Sequence, residues 1–323
     1  MSALHYPTSP VERSRWILSR RGPRHPANPA EPYAAFIEQE RNEEGVIADV
    51  ATIFLTNREC PWKCVMCDLW RNTTESPVAI GSITQQIRHA LQNFPRTAKS
   101  LKLYNSGSFF DSGAVSKKEW RSIAELCRPF KRVIIECHPR LVGKPVLEFA
   151  SLVNELEIAI GLETCHPQAL DSLNKRFSIQ DYRRSAEFIV SHGMALRTFL
   201  LVCPPFIPME QQLHWQEQSM ETAFAAGSAV VSFIGTRSGN GALEELEKLG
   251  LFCEPILSNL ESAQEQGIVR RLGRVFADTW DIERFSRCNH CSPKRIQRIH
   301  RMNLTQSIEP RLDCPDCEDR DKI

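Results

Sequence analysis

Six short apolar runs, alternating with stretches of helical spacing, constrain the fold of this 323-residue chain more than any other feature. The runs are VATIFLT from Val50, SLKLYN from Ser100, RVIIEC from Arg132, LEIAIGLE from Leu156, LRTFLLVC from Leu196 and AVVSFIG from Ala229. Each reads as a buried strand, short and rich in β-branched residues. Between them lie ITQQIRHALQNF from Ile83, KKEWRSIAELC from Lys117, DYRRSAEFIVSHG from Asp181 and the segment 209–226. In the third of these, Tyr182, Ala186, Ile189 and Val190 can share one helix face, and Gly193 is placed to end it. Strands joined by helices run parallel, because a parallel pair needs a crossover, and right-handed crossovers curl the sheet one way. An α/β fold follows, either a partial barrel or an open doubly wound sheet. Runs that are apolar on both faces fit either arrangement.

Residues 1–48 are rich in proline and charge, with Arg13, Arg15, Arg20, Arg21 and Arg24 but no period, and read as a lead-in segment. Residues 49–240 carry the strands, and 241–323 form a C-terminal extension. The net charge of +1, from 40 basic and 39 acidic side chains, excludes a global field for nucleic acid or membrane, so any basic site must be local. No run of 18 apolar residues occurs, and the first residues hold no apolar stretch behind a basic start. No membrane association and a cytoplasmic location are the expectations. Seven of the twelve cysteines cluster at metal-ligand spacings, which points to reduced thiols and metal rather than disulfides. The other five, Cys127, Cys137, Cys165, Cys203 and Cys253, are scattered singly and read as buried small hydrophobes.

The first cluster, Cys60-Pro-Trp-Lys-Cys64-Val-Met-Cys67, begins just past the first strand, on the loop where β/α folds assemble their sites. Three close thiolates can hold three irons of a cubane and leave the fourth open to an exogenous group. A structural zinc site normally closes with four protein ligands, and neither a histidine nor a fourth cysteine lies near in sequence.

This segment resembles the signature of the radical S-adenosylmethionine superfamily, CxxxCxxC with an apolar or aromatic residue before the last cysteine, here Met66. The resemblance covers residues 50–237 and implies a partial (β/α)6 barrel. It also implies a 4Fe-4S cluster whose open iron chelates S-adenosylmethionine, and reductive cleavage of that cofactor to a 5′-deoxyadenosyl radical. An electron donor such as a flavodoxin or ferredoxin goes with it. The family's Gly-Gly-Glu-like turn, which binds the cofactor's amino group, falls at Asn105, Ser106, Gly107 and Ser108, where the residues depart from that pattern. Glu136 and Glu163 close the third and fourth runs on the same side as the cysteine loop and are candidate cofactor contacts. NSGSFFD from Asn105, IIECHP from Ile134, AIGLET from Ala159, LNKRFS from Leu173 and LLVCPPF from Leu200 resemble one branch, the archaeosine-biosynthesis radical enzymes (RaSEA) related to the elongator catalytic subunit. That branch acts on a modified deazaguanine in tRNA, breaking a carbon–nitrogen bond in a lysine adduct to leave an amidine.

Near the C-terminus, Cys288-Asn-His-Cys291 and Cys314-Pro-Asp-Cys317 form two knuckles, which predict one four-ligand site for zinc or an auxiliary 4Fe-4S cluster, with His290 a bystander. Arg284, Arg287, Lys294, Arg295, Arg298, His300 and Arg301 lie in a stretch without acidic residues. It reads as a patch for tRNA phosphates or as a solvated helix face balanced by Glu318, Asp319 and Asp321. The functions to compare are a radical enzyme modifying a tRNA base, a radical enzyme acting on a small metabolite, and a zinc-stabilised RNA-binding protein without catalysis.

Overall fold

A computed structural model describes residues 5–95 and 97–317. Helix α1 (Pro10–Leu18) precedes a hairpin of β1 (Ala34–Arg41) and β2 (Ile47–Leu55). Then come α2 (Ser82–Gln92), β3 (Ser100–Asn105), α3 (Trp120–Cys127), β4 (Arg132–Glu136), α4 (Lys144–Ala150) and β5 (Glu155–Glu163). After α5 (Pro167–Ser172) and α6 (Ile179–Ser191), the chain forms β6 (Ala195–Val202), α7 (Gln212–Ala225) and β7 (Val230–Gly235). It ends with α8 (Ala242–Lys248), α9 (Leu257–Arg270), β8 (Arg274–Ala277) and α10 (Ser292–Thr305).

All eight strands form one sheet in sequence order, parallel from β2 to β8, with β1 antiparallel on one edge. The six anticipated strands are β2 to β7, and β1 and β8 extend the sheet at its two edges. The sheet curls until those edges approach. Phe36 of β1 stacks on Trp280, just past β8, at 5.1 Å, and Arg274 of β8 donates to the Arg41 carbonyl at 3.1 Å. Helix α10 packs on β1, β8 and α9, and so covers the seam. Two carboxamides, one on α10 and one on the residue that caps its C-terminus, pair the outer edge of β8. Asn303 accepts from the Ala277 N–H and donates to its carbonyl, both at 2.8 Å, and Gln306 does the same at Val275, both at 2.8 Å. A strand edge is thereby satisfied by side chains instead of a ninth strand.

Outward-facing residues such as Ile53, Leu103, Val133, Ile158 and Leu200 are buried under the helices in the main core. The inner face is not apolar throughout, contrary to the sequence reading. Lys102, Glu157 and Arg197 point inward, where Arg197 pairs with Glu157 (2.6 Å) and Glu40 (2.9 Å), and Lys102 with Glu38 (2.9 Å) and Glu40. Burial disfavours the Glu40 charge, but Arg197 and Lys102 outweigh it and hold that carboxyl far below its usual range. Two residues further along each strand, Phe54, Tyr104, Ile134, Ala159 and Phe199 form an apolar plug. Above the plug lie the C-terminal strand ends.

Helix α6 begins with a reciprocal Ser178–Asp181 capping box and gives way at Gly193, whose φ is +75°. Tyr182, Ala186 and Ile189 are buried, but Val190 is 42% exposed: its position has rotated past the edge of the buried face. Cys127, Cys137 and Cys203 are buried as expected, whereas Cys165 is half-buried and Cys253 is exposed. No helix among the described residues is long and apolar enough to cross a membrane.

Candidate active site

The loop after β2 carries Cys60, Cys64 and Cys67, all half-buried, at the open end of the barrel. Four other segments hold it. Gln86 of α2 brackets Thr56, accepting from its N–H and donating to its carbonyl, both at 2.8 Å. The Val65 N–H donates to the Leu173 carbonyl at 3.0 Å, and the Asn174 amide donates to the Lys63 carbonyl at 2.7 Å. The Asn240 amide, after β7, donates to the Val65 carbonyl at 2.8 Å. From the N-terminal segment, Arg21 (2.7 Å) and Arg24 (2.6 Å) pair with Glu59, which also takes Lys63. Met66 packs with Val65 on a separate apolar cluster around Ile17, Leu173 and Leu243. Trp62 lies flat on His138, with rings 3.6 Å apart and 5° from parallel. Burial pushes His138 down to about 3, so it is neutral at pH 7. Its Nδ1 accepts from the Arg140 N–H at 3.2 Å, which leaves Nε2 protonated and donating to the Lys175 carbonyl at 2.9 Å. It props the loop.

Burial pushes all three thiols up, Cys67 to about 12, and at Cys60 and Cys67 the neighbouring Cys64 sulfur adds to the effect. Sulfurs that resist ionisation side by side become thiolates together only around a cation. Among the described residues, the group spaced for a single ion is the C-terminal cysteine set, not this one. The donor set suits a larger centre.

The turn after β3 closes over Cys60. A Cβ on Gly107, whose φ is +129°, would lie 2.8 Å from the Cys60 Cβ and 3.1 Å from its sulfur. Beside it, both ends of the Asn105 amide and the Ser106 hydroxyl are buried without a partner, in a protein whose buried polar atoms are mostly paired. Ser108 is also buried. Unpartnered polar atoms next to three thiols fit a polar cofactor.

Glu136, ending β4, accepts from the Asn105 N–H at 3.2 Å. Burial pushes its carboxyl up to about 8, against the pull of that hydrogen bond and of Lys175. Glu163, ending β5, has φ +68° at a register shift in the strand and pairs with Lys175 over Gly161. Burial opposes the Lys175 charge, but Glu163 and the Cys64 sulfur keep its pKa raised. The residues flanking Lys175, Asn174 and Arg176, also have positive φ, as do Cys203 and Phe206 after β6. Such backbone costs about 1–3 kcal/mol per residue and concentrates at functional sites.

Sequence reasoning from strand ends missed several groups here. Lys175 lies beyond a short helix and not at a strand end. Arg237, after β7, spans Asp68 (3.7 Å) and Asp278 (3.5 Å). Asp278 follows β8, and burial pushes its carboxyl up against the pull of Arg237. Trp280, 44% exposed, stands beside Phe36 and Phe54, and the Tyr33 hydroxyl nearby is buried without a partner. The signal for Asp278 and Trp280 was the strand before them, only four residues long.

Cys288, Cys291, Cys314 and Cys317 come together, their sulfurs all within 4.8 Å of one another. His290 is 67% exposed, 3.7 Å from Asp316. Of the basic stretch, read from sequence as a phosphate patch or a solvated helix face, Lys294, His300 and Arg301 are exposed, while several arginines are engaged in ion pairs. Arg298 is fully buried, ion-paired with Glu261 (3.1 Å) and hydrogen-bonded to Glu265 (2.5 Å) and the Pro310 carbonyl (2.8 Å). Arg295 pairs with Glu261, Arg301 with Glu309, and Arg284 and Arg287 with Glu254. Glu254, Glu261 and Glu265 precede the stretch in the chain, and Glu309 follows it before the second knuckle. Glu318, Asp319 and Asp321 lie outside the described residues.

No family model matches the chain. It is 22% identical over 300 residues to an uncharacterised protein of Methanocaldococcus jannaschii, covering 86% of this chain and 82% of that one. It is 25% identical over 291 residues to archaeosine synthase subunit beta of Methanosarcina acetivorans, covering 85% and 84%. With the protein of the same name from Thermococcus kodakarensis it shares 29% over 153 residues, 45% of this chain and about half (47%) of the relative. Among solved structures, methylornithine synthase (PylB) superposes with a TM-score of 0.53 at 12% identity, over 84% of this chain and 76% of that one. Streptococcus suis SuiB bound to S-adenosylmethionine gives 0.51 at 13% identity, over 71% of this chain and 49% of that one. At these identities the superpositions show a shared fold.

Proposed function

We propose that this chain, an enzyme of the radical S-adenosylmethionine superfamily in its RaSEA-like branch, modifies a deazaguanine-type base in tRNA. The observation that carries the reading is the pairing of three half-buried thiols at the barrel mouth with the unpartnered Asn105 and Ser106 groups beside Cys60. Cys60, Cys64 and Cys67 would hold a 4Fe-4S cluster. Asn105, Ser106, Gly107, Ser108, Glu136 and Glu163 would line the S-adenosylmethionine site, with Met66 on the cluster loop and Lys175 beside it. When bound, the two cofactors together supply one-electron cleavage of a sulfonium and the hydrogen abstraction that follows.

The chain's own groups supply the rest. Lys175, buried beside Cys64, offers a cation to a carboxylate, and the Glu136 carboxyl largely keeps its proton at pH 7 and can donate it in a hydrogen bond. The apolar plug of Phe54, Tyr104 and Phe199 keeps water from rising through the barrel. On the side of β7 and β8, Trp280 presents a ring face with Asp278 and Arg237 beside it, a combination suited to a planar base with hydrogen-bonding edges. The relatives named archaeosine synthase subunit beta support tRNA as the carrier of that base. A flavodoxin or ferredoxin in the cytoplasm is the electron source we assign.

A second reading, a small-metabolite substrate, is favoured by one observation: the basic stretch that would grip phosphates is largely spent on internal ion pairs. Mass spectrometry of tRNA nucleosides and metabolites from a strain lacking the gene separates the two. Loss of a modified deazaguanine nucleoside supports the first; unchanged tRNA with one accumulating metabolite replaces it by the second.

A further inference from the structure

We propose that Cys288, Cys291, Cys314 and Cys317 bind one tetrahedral zinc ion, not an iron–sulfur cluster, and that this ion fixes the helix sealing the seam of the barrel. The inference is independent of the chemistry at the mouth. The nearest sulfur pairs are Cys288–Cys314 at 3.9 Å and Cys291–Cys317 at 3.5 Å, and all four sulfurs lie within 4.8 Å of one another. Zinc–sulfur bonds of about 2.3 Å directed to the corners of a tetrahedron put its sulfurs about 3.8 Å apart. A cubane places each thiolate on a different iron and needs them further apart. The pairs are also too long for disulfide bonds, which require about 2.05 Å.

A second observation concerns what else could hold this segment. Cys291 immediately precedes α10, so one knuckle is continuous with the helix whose Asn303, with the capping Gln306 just past it, pairs the edge of β8. The other knuckle lies on the return segment 306–317. There Cys314 is the one buried residue, and most of the others are exposed, Ile308 and Leu312 among them. A stretch with so little apolar burial does not order itself, whereas four thiolates around one ion order it. The returning chain also supplies the Pro310 carbonyl that receives the buried Arg298 guanidinium at 2.8 Å, so loss of the ion would leave a buried charge short of a partner.

The test is metal analysis of anaerobically purified, reconstituted full-length protein, with hydrogen exchange followed by mass spectrometry. The expected result is one zinc and about four irons per chain. The double variant Cys314→Ser/Cys317→Ser should lose the zinc, keep the iron and exchange faster in residues 292–305 and 274–277. Cys60→Ala should lose iron and keep zinc. Cobalt taken up in place of zinc should show the intense visible d–d bands of a tetrahedral thiolate site. About eight irons with no zinc would overturn the assignment in favour of a second cluster. Zinc loss with unchanged exchange in α10 would overturn the sealing role.

Discussion

Replacing Gly107 by alanine separates the packing of the cluster loop from ordinary backbone strain. At φ +129° an alanine is strained, at a cost of about 1–3 kcal/mol. Its methyl would also overlap Cys60, 2.8 Å from the Cβ and 3.1 Å from the sulfur, and overpacking of that kind costs about 1–3 kcal/mol more. Gly81 is the control: its φ is +99°, yet nothing lies within 4 Å of its would-be Cβ, so Gly81→Ala carries strain without overlap. At roughly 1.5 °C per kcal/mol for a chain of this length, Gly107→Ala should lower Tm by about 3–9 °C and Gly81→Ala by about 1.5–5 °C. The overlap is relieved only by moving the turn or Cys60, so iron and sulfide uptake on reconstitution should fall in Gly107→Ala and stay normal in Gly81→Ala. Scanning calorimetry of the apoprotein and iron and sulfide assays after reconstitution read both. Wild-type iron content in Gly107→Ala, with a Tm no lower than that of Gly81→Ala, would refute the close approach of this turn to Cys60.

Glu163→Gln leaves the buried Lys175 charge unpaired, so it should destabilise the fold by a few kcal/mol as well as weaken S-adenosylmethionine binding. Adding Lys175→Met should recover Tm but not binding, as followed by calorimetry and equilibrium dialysis. The Glu136 carboxyl is raised from 4.5 to about 8 in the fold, so its ionisation penalises the folded state increasingly as pH rises between those values and by a constant amount above them. Glu136→Gln should therefore gain Tm over wild type from pH 5 to 8, with a plateau beyond; a pH-independent difference would contradict the assignment. Asn303→Ala should cost about 1–3 kcal/mol in urea denaturation, because the Ala277 N–H and carbonyl lose their partner at the sheet edge.

The six central strands were legible because their apolar runs are continuous and bounded by turns. Strand β1 was not, because Glu38 and Glu40 interrupt it to meet Lys102 and Arg197 inside the barrel, a pairing between residues at least 60 positions apart. Strand β8 is only four residues long and begins with Arg274, so it offers no period to read. The three mouth cysteines and the strand-end carboxylates could be placed from register, since parallel strands deliver their C-terminal ends to one side. Lys175 and Trp280 could not, because each reaches the mouth through a loop whose course depends on positive-φ residues such as Asn174 and Asp281. The ion pairing of the basic stretch was not legible for a related reason. Glu261 and Glu265 of α9, which pair with Arg295 and Arg298, are distant in sequence and adjacent only in the fold, and Glu309 follows on the return segment. Cys253 shows that a lone cysteine in an apolar context can still end up exposed.

The most direct test of a radical enzyme acting on a tRNA base is an anaerobic turnover of reconstituted protein with reductant, S-adenosylmethionine and tRNA carrying a lysine-adducted deazaguanine. Chromatography with mass spectrometry would quantify 5′-deoxyadenosine and the tRNA nucleosides together. The expected result is 5′-deoxyadenosine formed in step with conversion of the adduct to an amidine, both abolished in Cys60→Ala, Cys64→Ala and Cys67→Ala. Formation of 5′-deoxyadenosine at the same rate with and without tRNA, with the adduct unchanged, would contradict the tRNA substrate, and retained cleavage in a cluster-free triple variant would contradict the radical assignment itself.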